Sequence, residues 1–218
     1  MEGWARQFDG YCERTDFTYW SEPVNAVTNA AFVIAAVWMW RRVHGQGMKL
    51  AEALCAILFA IGVGSYLFHT HATAWAALAD VAPIALFILT YIYAANRHFW
   101  GMGKGKAALA TAAFLPYAAL TVPAFAALPF FAVSAAYWPV PLLIALYAAA
   151  LWGRHPATGR GLALGAGILV VSLVLRSIDE AVCPALPLGT HFLWHVLNGL
   201  MLGWMIEVYR RHRVAATA

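Results

Sequence analysis

The segment KLAEALCAILFAIGVGSYLFHT, residues 49–70, decides the fold: it is apolar for long enough to cross a bilayer and then closes on a histidine, His69. A spanning helix needs roughly 20 predominantly apolar residues. Within the segment Ser65 and His69 lie four residues apart, which puts both on one helical face.

Outward from this stretch, breaks in the apolar pattern divide the chain into six further candidate spans, roughly 23–41, 73–95, 106–122, 131–152, 160–178 and 188–209. The division between the fourth and fifth is the least sharp, because Pro116, Pro123, Pro129, Pro139 and Pro141 interrupt the hydrophobic run there. Of the 218 residues 63% are hydrophobic and 11% charged, with mean hydropathy +0.68. Soluble domains carry roughly a quarter charged residues, so a soluble fold of this length cannot bury that much apolar surface. The expectation is an all-α, seven-transmembrane-helix bundle forming a single domain over 1–218. It comprises an acidic N-terminal segment (1–22), seven helices (23–209) and a basic tail (210–218).

Charge placement orients it. Arg41, Arg42 and Lys49 follow the first span, Arg97, Lys104 and Lys106 the third, Arg154 and Arg160 the fifth, and Arg210, Arg211 and Arg213 the seventh. Only Arg6, Arg14 and Arg176 fall on the other side. Short basic loops stay cytoplasmic, so the N-terminus is expected outside and the C-terminus inside. The formal charge of +4 is then loop chemistry, and no nucleic-acid patch is evident. Glu2, Arg6, Asp9, Glu13, Arg14, Asp16 and Glu22 interrupt the first 22 residues, which excludes the apolar core of a cleavable signal peptide. A multi-pass protein of a bacterial inner membrane or a eukaryotic endomembrane fits, and nothing calls for an obligate protein partner. Cys12 and Cys183 both fall on the non-cytoplasmic side, where disulfides persist. A bond between them is expected against the alternative of two unpaired thiols, while Cys55 lies within a span and packs.

Ionisable residues inside spans are costly and mark function. Beside His69 these are Asp80, in an apolar setting with no basic neighbour in sequence, and the pair His191 and His195 at i, i+4, the spacing by which one helix supplies two zinc ligands. His71 points elsewhere and reads as an interfacial histidine. The second span runs outward while the third and seventh run inward, so His69, Asp80 and His191 converge on one depth near the outer face. Three neutral imidazoles with one open position form the catalytic zinc pattern. Glu22, Asn25 and Asn29 make a polar stripe on the first span. With Asp9, Glu13 and Asp16 they read either as hard oxygen ligands suited to calcium or as a solvated tail and capped helix start.

On these residues the chain resembles the alkaline ceramidases, within a superfamily of seven-helix membrane hydrolases that includes the adiponectin and progestin receptors. Tyr11-Cys12-Glu13 with Glu22, Asn25 and Asn29, then Gly64-Ser65 with His69, Asp80 with Pro83, and His191 to His195 carry the resemblance in order. It implies His69, His191 and His195 as zinc ligands, Ser65 as active-site serine and Asp80 as the carboxylate beside the water. It further implies a calcium site at Asp9, Glu13, Glu22 and the Tyr11 carbonyl, and again a Cys12–Cys183 disulfide. Where the animal enzymes carry Asp and Trp before the Cys, this chain has Gly10 and Tyr11. The implied activity is zinc-dependent hydrolysis of ceramide or another N-acyl lipid to a fatty acid and an amine, with a membrane lipid as the only partner. A retinal protein is excluded, since Lys49, Lys104 and Lys106 all fall in expected loops. A lipid-sensing receptor on the same scaffold and a proton or solute transporter remain as alternatives.

Overall fold

Proline sets where many of the helices begin. Its fixed φ suits the first helical turn, where its missing N–H costs nothing. Pro23, Pro129, Pro139 and Pro156 each open a helix in this computed structural model, which describes residues 3–216. Met1, Glu2, Thr217 and Ala218, the ends of the expected acidic segment and basic tail, lie outside the described residues. In chain order the helices are α1 (Pro23–Thr28), α2 (Ala30–Val43), α3 (Lys49–His71), α4 (Ala74–His98), α5 (Lys104–Ala112), α6 (Phe114–Ala126), α7 (Pro129–Ala132), α8 (Pro139–Leu151), α9 (Pro156–Ser177), α10 (Asp179–Val182) and α11 (His191–Ala215). No strand forms among the described residues beyond one isolated bridge between Gln7 and Thr73.

Five stretches are long and apolar enough to cross a bilayer: Pro23–Val43, Lys49–His71, Ala74–His98, Lys104–Ala126 and Pro156–Ser177. The other two expected spans depart from expectation. The fifth, expected over 131–152, is confined to the 13 residues of α8 behind the short α7, with Pro139 and Pro141 in the first turn of α8, where a missing N–H costs nothing. The seventh begins at His191 and runs on to Ala215, so most of the expected tail is helical. Arg210 and Arg211 reach back to Glu207 at i, i+3 and i, i+4, pairs that extend a helix. Lys49, Lys104 and Lys106 are not in loops; they open α3 and α5. All three are exposed, so a buried Schiff-base lysine is still absent.

The packing order is α4, α3, α2, α11, α9, α8, with α5 returning along α4. The polarity is the reverse of a water-soluble protein. His69, Asn96, Ser172 and His195 are sealed inside, whereas Ile34, Leu86, Leu109, Leu120 and Val171 face outward, Leu120 at 77% exposed. Large contiguous apolar exteriors mark a surface meant for something other than water, here hydrocarbon. α6 buries none of its residues fully, although Tyr117 donates to the Pro139 carbonyl and Phe125 stacks on Trp138.

Between membrane helices, small residues at the interface let backbones approach closely. A methyl group on Gly64 would collide with the Ala79 carbonyl of α4. The neighbours of these two residues are Ser65 and Asp80, so this glycine is what allows α3 and α4 to bring those two side chains together. Gly64→Ala is expected to destabilise by about 1–3 kcal/mol, the cost of overpacking. Gly105→Ala, whose added methyl meets nothing within 4 Å, should instead stabilise α5 by up to ~1 kcal/mol. Thermal unfolding in detergent should show the two shifts with opposite signs.

Candidate metal centre

The end of the bundle where α3 finishes and α4 and α11 begin gathers the polar residues. His69 stands in the last turn of α3, while His191 and His195 occupy the first two turns of α11. Their exposures are 1%, 2% and 0%. Ring centroids are 5.2 Å apart for His69 and His191, 4.6 Å for His69 and His195, and 4.7 Å for His191 and His195. One ligand atom from each lies within 4.8 Å of the others, so the three side chains could hold a metal ion.

The surroundings orient these rings as a metal centre requires. His69 Nδ1 donates to Glu22 Oε2 at 2.6 Å. A carboxylate can only accept, so the Nδ1 proton makes this bond and Nε2 is left outside it. Thr28 Oγ1 spends its hydroxyl hydrogen on the Val24 carbonyl and accepts from His195 Nδ1 at 3.0 Å, which again frees Nε2. That Nε2, like His191 Nδ1, is buried with no hydrogen-bond partner. Buried polar atoms are normally satisfied. Unpartnered nitrogens on imidazoles this close together fit a cation that supplies the missing partner. Carboxylate-to-histidine contacts of this kind fix tautomer and ring orientation at metal sites.

Ser65, 4% exposed, lines one cavity with Asp80, Tyr137, Trp194 and Asn198. Asp80 Oδ1 is buried without a partner. This cavity shares Ile88, Val140, Met201 and Leu202 with an almost wholly apolar one that runs on past Phe87, Tyr91 and Ala95. A polar head beside Asp80 and a greasy tail between the helices describe the space.

The N-terminal segment lies across this end. Phe8 N donates to the Ala72 carbonyl and Ala74 N to the Arg6 carbonyl, so residues 6–8 pair with the α3–α4 turn. The Tyr11 ring stacks on His191 at 3.8 Å. Burial pushes its phenol well above the usual tyrosine pKa, and it stays neutral. Cys12 is bonded to Cys183, with Cα atoms 5.5 Å apart. Asp179 ties the same region together: its carboxylate accepts from Cys12 N, Thr190 N and His191 N, capping α11 at its first residue.

Of the residues associated with calcium, Asp9, Tyr11 and Glu22 line one cavity, while Glu13 faces the start of α1. Among the described residues, the three histidines are the only group of three or more His, Cys, Asp or Glu side chains close enough to share an ion. Asp9 is exposed. Both Glu13 oxygens accept the Val24 and Asn25 N–H groups that open α1. Glu22 serves His69, Arg14 and Asn25, and the Tyr11 carbonyl accepts from Arg14 N. His71 is exposed against Tyr19 and Trp75, outside the site. Sequence reading overlooked Thr28, Asp179 and the part played by Arg14. Arg14 and Arg176 left one signal, as basic residues on the side where basic residues are rare. Arg176 packs over Tyr137 and Trp194 beside the cavity.

A family model described as Ceramidase matches residues 10–217. No curated protein matches the chain significantly.

Replacing Cys12 and Cys183 by serine opens a link spanning 171 residues. It should cost about 2–5 kcal/mol of stability, read as a lower melting temperature that reducing agent reproduces in the wild type.

Proposed function

Because this chain belongs to the ceramidase family, we propose that it is a zinc-dependent intramembrane hydrolase that cleaves the amide bond of ceramide or a related N-acyl lipid. The products are a free fatty acid and an amine, a sphingoid base when the substrate is ceramide. The observation that carries this reading is the juxtaposition of three buried imidazoles with the Ser65 and Asp80 cavity.

A zinc ion held by His69, His191 and His195 would supply Lewis acidity at the scissile carbonyl and lower the pKa of a bound water towards ~7. Asp80 is the general base: it takes a proton from the attacking water and returns it to the departing nitrogen as the C–N bond breaks. The Ser65 hydroxyl donates to the carbonyl oxygen as negative charge develops there. The apolar cavity beyond Asp80 takes the acyl chain, and the enclosing helices limit water to what the reaction consumes. Tyr11 and the N-terminal segment close the site on its outer side.

The same reading holds that the chain crosses the membrane seven times. α8 with its α7 lead-in and α11 complete the five apolar spans, the N-terminus lies outside, and the metal centre sits near the non-cytoplasmic face. Basic residues clustered at the other end support this orientation. Calcium is left out of this reading because Glu13 and Glu22 already accept from protein donors.

Purified protein should contain stoichiometric zinc and release fatty acid from an N-acyl lipid, followed by mass spectrometry across a panel of such lipids. Asp80→Asn should keep its zinc and lose at least about 100-fold in turnover, the scale of a general base. His195→Ala should lose both. Zinc without hydrolysis of any N-acyl lipid would favour a receptor on the same scaffold, and near wild-type turnover by folded Asp80→Asn would show that Asp80 is not the general base.

A further inference from the structure

The acidic N-terminal segment holds a cation of its own. The Arg14 side chain is 1% exposed, an uncommon state for an arginine. Each arm of its guanidinium is used: Nε donates to Glu22 Oε1 at 2.5 Å, Nη1 to the Asp16 carbonyl at 3.0 Å and Nη2 to the His69 carbonyl at 3.0 Å. Two of these three acceptors bear on one residue. Glu22 grips the His69 ring from its other oxygen, and the His69 carbonyl belongs to the last turn of α3. Carbonyls in a last turn have no partner within the helix and favour a positive charge. Arg14 therefore holds His69 by its side chain, through Glu22, and by its backbone directly.

We propose that Arg14 is a positioning residue of the metal centre, a fixed internal cation that locks Glu22 and the end of α3 around His69 and makes a dissociable cation unnecessary in the acidic segment. This inference rests on the hydrolase reading for the identity of the bound metal. Divergent acceptors on Glu22, Asp16 and His69 require the planar fork of arginine; a lysine offers one point charge and reaches them in turn. The role differs from plain stabilisation. Exchanging a buried ion pair for apolar packing is often neutral for stability, whereas loosening a partner of a metal ligand typically weakens metal binding 10–100-fold.

The experiment measures zinc affinity by chelator competition in detergent-solubilised protein, beside melting temperature and the kcat and KM of lipid hydrolysis. Arg14→Met should bind zinc about 10–100-fold more weakly, and Arg14→Lys should fall between it and the wild type. Glu22→Gln should weaken binding in the same direction, and combining it with Arg14→Met should add little, because the two act as one unit. Excess zinc should restore turnover in Arg14→Met. Millimolar calcium should change neither the melting temperature nor the zinc affinity of the wild type. Wild-type zinc affinity in Arg14→Met overturns the inference and leaves the hydrolase reading standing. So does calcium-dependent stabilisation of the wild type. If Arg14→Met does not fold, Arg14→Lys decides, and wild-type affinity there overturns the inference equally. A wild type that holds no divalent metal removes the hydrolase reading together with this one.

Discussion

Three buried imidazoles, with one ligand atom of each within 4.8 Å of the others, are the constraint on which the rest of this structure depends. In an apolar interior a polar atom without a partner costs of the order of a lost hydrogen bond or more, and here several such atoms face one another. The fold meets that cost on one side only. Glu22 and Thr28 take the outward nitrogens of His69 and His195, while the inward ones are left for a ligand. Holding them so requires three chain segments to meet at one level. The closeness of α3 to α4 at Gly64, the cap of Asp179 on α11 and the Cys12–Cys183 link all act at that level.

The same end of the bundle explains the N-terminal segment. A stretch rich in Asp and Glu would ordinarily stay in water. Here Glu13 caps α1, Glu22 orients a histidine, and Arg14 neutralises the buried carboxylate between them. Tyr11 presses a neutral aromatic face onto His191. The segment thus becomes part of the wall of the site. A hydrolase working on a lipid needs such a wall, since its substrate arrives from hydrocarbon and its water from outside.

Charge asymmetry was informative in two ways. The many basic residues at the α2–α3, α4–α5, α8–α9 and C-terminal positions gather at the end of the bundle away from the metal centre. The exceptions proved more telling. Of the three arginines at the opposite end, Arg6 is exposed, whereas Arg14 and Arg176 lie at the site, the first bonded to Glu22 and the second packed beside the cavity.

By itself the sequence determined the helical class, the apolar lengths of most spans, and the shared faces of Ser65 with His69 and of His191 with His195, because helical periodicity and hydrophobicity are local properties. It also placed His69, Asp80 and His191 at one end, since successive spans joined by short connections alternate in direction. Prolines blurred the fifth span, and Glu207 carried the seventh helix beyond its apolar stretch. Only the tertiary structure decided which group answers which. Glu22 meets His69 across 47 residues, Arg14 meets the His69 carbonyl across 55, and Thr28 meets His195 across 167. Such pairings depend on how the helices pack around Gly64 and on where the N-terminal segment crosses them. An acidic stripe that reads equally well as a calcium site or a helix cap becomes a support for a histidine once a buried arginine settles beside it.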